Sequence, residues 1–233
     1  MSDRTGEGYA FTKVAMLFSM AIVFCFSVIM LFSPAAHATV TAVSTGTNHT
    51  CAVVDRVAKC WGDNTSGKLG NNGIFGVSSP ATVYTKASPA SPLYGRSVTK
   101  ISAGNTHTCA VANARVYCWG NNDYGQLGNR SSGWSSNVPV AVAIEGNSAL
   151  NGKEVVDVSA GNGFTCAVAS DGSVACWGLN DHGQLGNGST SNVNYPVAVS
   201  GGALNSKKVK KLATVKGNAA TMCVITSEGK ALC

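Results

Sequence analysis

The sequence reads as an all-β chain of repeated units, on three grounds. The first is internal self-similarity at a fixed step, the mark of a repeat architecture. The second is that each unit divides into short alternating segments between turn residues, with no convincing helical periodicity after residue 38. The third is composition. Glycine makes up 27 of 233 residues, and only 12% are charged against a usual ~25%. With 45% apolar residues the chain is not a disordered segment, and six prolines are too few for a collagen or a Pro-rich linker.

The repeats are plain when aligned. Residues 44–62 read STGTNHTCAVVDRVAKCWG, 102–120 read SAGNTHTCAVANARVYCWG, and 159–178 read SAGNGFTCAVASDGSVACWG. A fourth copy, KGNAATMCVITSEGKALC, occupies 216–233. The first cysteines, Cys51, Cys109, Cys166 and Cys223, are 58, 57 and 57 residues apart. After each Trp-Gly comes a second motif: Gly67-Lys68-Leu69-Gly70-Asn71, Gly125-Gln126-Leu127-Gly128-Asn129, and Gly183-Gln184-Leu185-Gly186-Asn187. The units run approximately over 39–97, 98–153, 154–208 and an incomplete 209–233.

Each unit predicts four strands, seen most clearly in the third copy. Residues 154–160 alternate and lead into Gly161. Residues 164–169 form a second strand, and Ser170-Asp171-Gly172 form a turn. Residues 173–178 form a third strand. After the Gly-rich turn, 194–199 form an outer strand. Its proline recurs as Pro80, Pro139 and Pro196, and an edge strand accommodates a residue that cannot donate to the ladder.

The cysteines fix the register. Opposed residues of an antiparallel hairpin have a constant index sum. Cys51 with Cys60 centres a two-residue turn on Asp55-Arg56, and Cys109 with Cys118 centres one on Asn113-Ala114. Cys166 with Cys176 centres a three-residue turn on Ser170-Asp171-Gly172, and Cys223 with Cys233 one on Ser227-Glu228-Gly229. In both longer turns glycine stands last, where the left-handed conformation is required. Opposed strand residues have Cα atoms ~4.5–5.5 Å apart, which a disulfide tolerates. Four disulfides within units follow, each adding about 2.5–3 kcal/mol in the chain-entropy model. Zinc is the rival for paired cysteines, but it calls for Cys-x-x-Cys pairs or recurrent histidines. Neither is present, since His49 and His107 give way to Phe164 and Ala220. No metal and no cofactor is expected.

Disulfides persist outside the cytosol, and the amino end agrees with that. Residues 14–32 are nineteen consecutive uncharged positions preceded by Arg4 and Lys13. Ala36 and Ala38 then form a small-residue cleavage pattern before Thr39. Residues 1–38 read as a signal peptide, or as an N-terminal membrane anchor if uncleaved. Either reading leaves 39–233 secreted or at the cell surface, with membrane contact only through 14–32.

The net charge of +6 is concentrated near the carboxyl end. Residues 39–200 carry nine Lys/Arg against eight Asp/Glu, and 201–233 carry six Lys against one Glu. Lys207, Lys208, Lys210, Lys211 and Lys216 form a patch that reads as a solvated loop beside a strand edge, so no nucleic-acid partner is expected.

The run Gly-x-x-His-Thr-Cys-Ala-Val, followed by Trp-Gly-x-Asn-x-x-Gly-Gln-Leu-Gly, resembles the repeat of the regulator of chromosome condensation family. The resemblance covers essentially all of 39–233. It implies a β-propeller of four-stranded antiparallel blades, normally seven. The cysteine pairs depart from the cytosolic and nuclear members and read as an adaptation to export. Residues 39–233 at 57 per unit give about 3.4 blades, so a partial, open propeller or a fragment of a seven-bladed one is expected. An open arc exposes a strand edge and is prone to self-association.

No catalytic constellation stands out: there is no Gly-x-Ser-x-Gly elbow and no phosphate-binding loop. Enzyme activity is not expected. His49 and His107 recur at one repeat position and read as blade structure. Asp123 and Asp181 read as turn caps. Trp61, Trp119 and Trp177 read as blade packing. The informative residues break the pattern. Tyr124 and His182 lie inside the second motif, and Trp134 and Tyr195 in the inter-blade stretches. Trp134 reads either as an exposed anchor or as a cover for a blade edge. These four are the candidate binding residues. The expected function is that of an exported, non-catalytic module recognising a protein or glycan through blade loops. A cell-surface structural or adhesive segment is the alternative. Small-GTPase exchange or chromatin binding, the namesake's role, fits poorly with export. Asn48, Asn64, Asn129 and Asn187 lie in Asn-x-Ser/Thr sequons.

Overall fold

A computed structural model describes residues 37–87, 91–200, 202–204, 207–214 and 221–233. The signal or anchor expectation for 1–38 falls almost wholly outside them, as does Lys216. Among the described residues no helix is long and apolar enough to cross a membrane.

Four antiparallel sheets follow one another along the chain. Blade 1 contains β1 (Val40–Thr45), β2 (His49–Val54), β3 (Val57–Gly62) and β4 (Val77–Thr82). Blade 2 contains β5 (Val98–Ala103), β6 (His107–Ala112), β7 (Arg115–Gly120) and β8 (Ser136–Ala141). Blade 3 contains β9 (Val155–Ala160), β10 (Phe164–Ala169), β11 (Val174–Gly178) and β12 (Val193–Ala198). A fourth sheet has β13 (Val209–Thr214), β14 (Met222–Thr226) and β15 (Ala231–Leu232). Order within each sheet is sequential, and the first strands β1, β5, β9 and β13 contact one another in succession. This is the blade arrangement of a β-propeller. The strands lie within a residue of their expected ends in blade 3. Pro80, Pro139 and Pro196 all fall on the outer strands.

The cysteine register is as expected. Cys51 opposes Cys60, Cys109 opposes Cys118, and Cys166 opposes Cys176. These three pairs and Cys223–Cys233 form disulfides, with Cα separations of 4.0–4.1 Å. Asp55, Arg56, Asn113 and Ala114 all have positive φ, as a two-residue turn of mirror-image type requires. Gly172 and Gly229 carry the left-handed residue of the longer turns.

A single repeat cannot bury its apolar faces alone, so the core lies between blades. One cluster joins Val53, Ala58, Leu69, Val83 and Leu93 of blade 1 to Ile101, Ala112, Tyr117 and Trp119 of blade 2. A second joins Val111, Leu127, Val142 and Leu150 to Val158, Ala169 and Trp177. The middle strands β6 and β10 are buried at every position, because a blade covers each face. That is why they read as continuous apolar runs. β1, with no blade before it among the described residues, exposes Val40 and Val43.

The Trp-Gly pair has a geometric cause. The pairing of third to fourth strand slips between Cys60 and Gly62, between Cys118 and Gly120, and between Cys176 and Gly178. The slip is a bulge, which re-aims the intervening side chain. Its glycines have φ of +105° to +107°, and a Cβ on Gly120 would fall 2.7 Å from the Thr106 carbonyl oxygen. Only glycine fits.

Ala114 occupies a left-handed position without the local hydrogen bonding available to Asn or Asp. Ala114→Gly is expected to stabilise the folded chain by about 1 kcal/mol, measured as a raised urea midpoint. A lowered midpoint would show that the turn does not carry this strain.

Candidate functional site

Two sites emerge from the blades: a buried lock between neighbours and a polar groove on the loop face. The lock begins with His49 on β2, which is buried. Its Nε2 lies 2.8 Å from Thr108 Oγ1 of blade 2. Thr108 Oγ1 lies 2.8 Å from the Lys68 carbonyl oxygen of blade 1. A carbonyl only accepts, so the hydroxyl donates its single hydrogen there, and His49 Nε2 donates to the hydroxyl. The same carbonyl accepts from Trp119 Nε1 at 2.9 Å. The lock repeats one blade on. His107 Nε2 donates to Thr165 Oγ1 at 2.8 Å, and Thr165 Oγ1 donates to the Gln126 carbonyl at 2.9 Å. Trp177 Nε1 completes that carbonyl at 2.9 Å.

Complete burial, aided by the His49 ring, depresses the His107 pKa from 6.5 to about 3. The ring is therefore neutral at physiological pH. The lock changes as a unit at the third interface, where Phe164 replaces the histidine and Met222 stands in place of the threonine. Both pack in one apolar cluster.

The turn after each Trp-Gly is held by the asparagine of the Trp-Gly-x-Asn motif. Asn64, Asn122 and Asn180 are 1%, 0% and 0% exposed. Their Oδ1 atoms accept from the amides of Leu69, Leu127 and Leu185 at 2.9–3.0 Å. Their Nδ2 groups donate to the carbonyls of Gly73, Ser131 and Ser189. Recurrence at the same offset in three copies was the available signal. The expectation that Asp123 and Asp181 cap these turns is corrected accordingly. Asp123 accepts from the Asn121 side chain, and Asp181 from Gln184 and His182, whose hydrogen bonds hold its carboxyl below the usual range. Both residues are exposed, and the turn amides of Leu127 and Leu185 go to the buried asparagines instead. In blade 1 the pair Asn121–Gln126 is replaced by Asp63–Lys68. The Lys68 ammonium beside Asp63 brings its carboxyl to about 2.

The groove brings together two of the four candidate binding residues. Tyr124 and Tyr195 line it with Asp123, Ser132, Asn192 and Asn194, around about 390 Å³. Tyr195 is fixed from behind. The Arg130 guanidinium sits 4.9 Å from its ring centre, and Asn147 Nδ2 donates to its hydroxyl at 3.0 Å. Arg130 is itself held by the Glu145 carbonyl and Asn147 Oδ1. Trp134 is 82% exposed, so it does not cover a blade edge, and it is not part of the groove lining. His182 stands apart, exposed and beside Asp181 at 2.8 Å. Of the sequon asparagines, Asn64 is buried in its turn and Asn48 is exposed. Among the described residues no group of three or more His, Cys, Asp or Glu is placed to hold a metal ion.

The buried neutral His107 sets a pH dependence. Its folded pKa of about 3 lies below the unfolded 6.5, so the unfolded chain takes up the proton first as pH falls. Stability from this group is full above pH 6.5 and is lost between about 6.5 and 3, with a slope approaching about 1.4 kcal/mol per pH unit. His107→Phe, the residue found at the third copy, is expected to flatten this part of the urea-midpoint profile. An unchanged slope would assign the acid sensitivity elsewhere.

With this geometry in place, the likeness to known proteins is clear. The Regulator of chromosome condensation (RCC1) repeat matches residues 60–111, 113–168 and 171–223, and a second form of the same repeat matches 98–126 and 155–184. The human E3 ubiquitin-protein ligase HERC2 is 34% identical over 179 residues, 76% of this chain and 3% of HERC2. The Ultraviolet-B receptor UVR8 of Arabidopsis thaliana is 31% identical over 157 residues, 66% of this chain and 33% of UVR8. The chain thus spans a third or less of these relatives' lengths. Among solved structures, human WBSCR16 superposes with a TM-score of 0.68 at 22% identity, covering 84% of this chain and 46% of WBSCR16. Prp20p of Saccharomyces cerevisiae, whose structure was described with its binding to Gsp1p and histones, gives 0.63 at 19% identity, covering 76% and 42%. The match over most of 60–223 and the repeating blade geometry lead to one conclusion: the chain belongs to the regulator of chromosome condensation repeat family.

Proposed function

We propose that this chain is an exported, non-catalytic binding module that engages a protein partner through the variable loops of its blades. The carrying observation is the separation of roles within each repeat. The recurring residues are buried in locks and turns, whereas the residues that break the repeat reach solvent. Trp134 is 82% exposed and Tyr124 43% exposed. Aromatic side chains of this kind supply large contact area at low entropic cost, and they often anchor interfaces. The four disulfides support export, since a reducing cytosol does not maintain such bonds. Solved relatives described with protein partners support a protein over a glycan. The absence of a nucleophile–base set in the sequence supports a non-catalytic role.

Two measurements test this reading. The non-reduced mass of the protein recovered from outside its host should be lower than its reduced mass by eight hydrogens, for four disulfides. Recovery of free thiols would remove the case for export. For binding, the oxidised chain is crosslinked to the extracellular proteins of its host. Trp134→Ala is expected to weaken recovery of the captured partner by at least about tenfold, as loss of an interface anchor does. Equal recovery by Trp134→Ala and Tyr124→Ala would place the binding surface elsewhere.

A further inference from the structure

The loop face carries one groove frame twice. Gly67 and Gly125 let the outer strand of the next blade close in. A Cβ on Gly67 would fall 2.5 Å from the Asn137 Cα, and one on Gly125 2.7 Å from the Asn194 Cα. The first groove, of about 380 Å³, is lined by Ser66, Ile74, Ser135 and Asn137 among others. The second, between blades 2 and 3, is the groove of Tyr124 and Tyr195. Strand register aligns Thr65, Ser66 and Val138 of the first with Asp123, Tyr124 and Tyr195 of the second. The frame is common to both, so neither the carboxylate nor the two rings are needed to build it.

Both rings of the second groove are supported by protein. A Cβ on Gly163 would fall 3.0 Å from Tyr124 Cδ2, so that ring lies against the backbone of blade 3. Arg130 backs Tyr195. Neither ring is fully buried. Polar groups stand beside them. Asn192 Oδ1 accepts from the Asn180 amide at 2.8 Å, which leaves its Nδ2 to donate. Asp123 Oδ2 accepts from Asn121, which leaves Oδ1 to accept again. Among the described residues none hydrogen-bonds to the Tyr124 or Ser132 hydroxyl or to the Asn194 side chain.

Charge narrows the ligand. Asp123 is the one charged side chain of the lining, and Arg130 stands outside it, behind Tyr195. An anion would meet the carboxylate. A cation on Tyr195 would meet a ring already engaged by a guanidinium. The ligand that fits is uncharged, with hydroxyls that both give and accept hydrogen bonds and apolar C–H faces that lie on an aromatic ring. A pyranose sugar has both. The groove volume of about 390 Å³ is within the range of about 300–1,000 Å³ usual for small-ligand sites.

We propose that the groove between blades 2 and 3 binds a neutral pyranose unit of a glycan, with a C–H face on the tyrosine wall and hydroxyls bonded to Asp123 and Asn194. This goes beyond the protein-binding role proposed above. Trp134, the anchor of that role, lies outside the lining, so the two readings fail separately.

The test applies the oxidised full chain to an array of neutral, sialylated, sulfated and amino glycans. Retention on neutral pyranose-terminated glycans is expected, and the best of these is then titrated calorimetrically as the free saccharide. Tyr195→Val and Tyr124→Ser, which install the residues of the first groove, are each expected to weaken binding at least about tenfold. Phe75→Ala, at a residue 79% exposed and outside the lining, should leave it unchanged. Urea midpoints check that the variants fold, and Asp123→Thr carries the same expectation should a tyrosine variant unfold. Silence across the array, retention of charged glycans only, or unchanged affinity in the groove variants overturns the site. Periodate, which cleaves vicinal diols, separates the sources of the sugar. Treated extracellular proteins of the host should no longer be captured if the glycan is borne on a protein, whereas undiminished capture alongside array binding marks a free saccharide. Capture of treated proteins without array binding overturns this site and leaves the protein-binding role standing.

Discussion

One backbone carbonyl in each of blades 1 and 2, shared between a hydroxyl and an indole of the next blade, is the constraint on which this array depends. Both lone pairs of the Lys68 oxygen are taken by blade 2, and both of the Gln126 oxygen by blade 3. The histidine closes the circuit by donating back across the interface to the same hydroxyl. Each lock therefore crosses the interface in both directions and fixes translation and rotation of one blade on the next. It also explains the spacing between the two motifs of the repeat. The Trp-Gly bulge must throw its indole toward the Gly-x-Leu-Gly turn of the preceding blade, and that turn must present a carbonyl and a glycine where the ring arrives.

The remaining devices hold the two ends of this lock in place. The buried asparagine ties the turn, so the carbonyl points inward. The disulfide pins the second strand to the third one residue before the tryptophan. Burial keeps His107 neutral, and because Thr165 spends its hydroxyl hydrogen on the Gln126 carbonyl, the one ring N–H is at Nε2. Each blade interacts chiefly with its neighbours, so stability accumulates interface by interface. Pairwise exchange is then tolerated: His with Thr becomes Phe with Met, and Asn with Gln becomes Asp with Lys. In each case both partners change together, because either half alone would leave a buried polar group unmatched.

Because the lock carries the fold, the loops between Gly-x-Leu-Gly and the next blade are free to vary. The stretch from Asn129 to Ser136 exposes Trp134 and shares a groove wall through Ser132. The groove behind it is rigid rather than adaptable, since Arg130 and Asn147 clamp Tyr195 from the far side. The tyrosine wall is thus held in one arrangement, while the exposed Trp134 lies outside the groove lining.

Much of this was legible in the sequence because it repeats. Index sums alone gave the hairpin turns and all four cysteine pairs, since opposed residues of a hairpin are a property of local register. The position of the outer prolines followed from a missing donor. The sequence did not show what His49 and His107 do, nor that Asn64, Asn122 and Asn180, rather than Asp123 and Asp181, hold the turns. A recurring residue marks a place in the blade but not its partner, and the partner of His49 lies 59 residues away in the next blade. Nor did it join Tyr124 to Tyr195 while leaving Trp134 and His182 apart. By itself the sequence determined what is local: strands, turns, disulfides and the repeat. Which groups face each other between blades was decided by tertiary packing, because an interface is set by the angle at which one sheet meets the next, and no spacing along the chain encodes that angle directly.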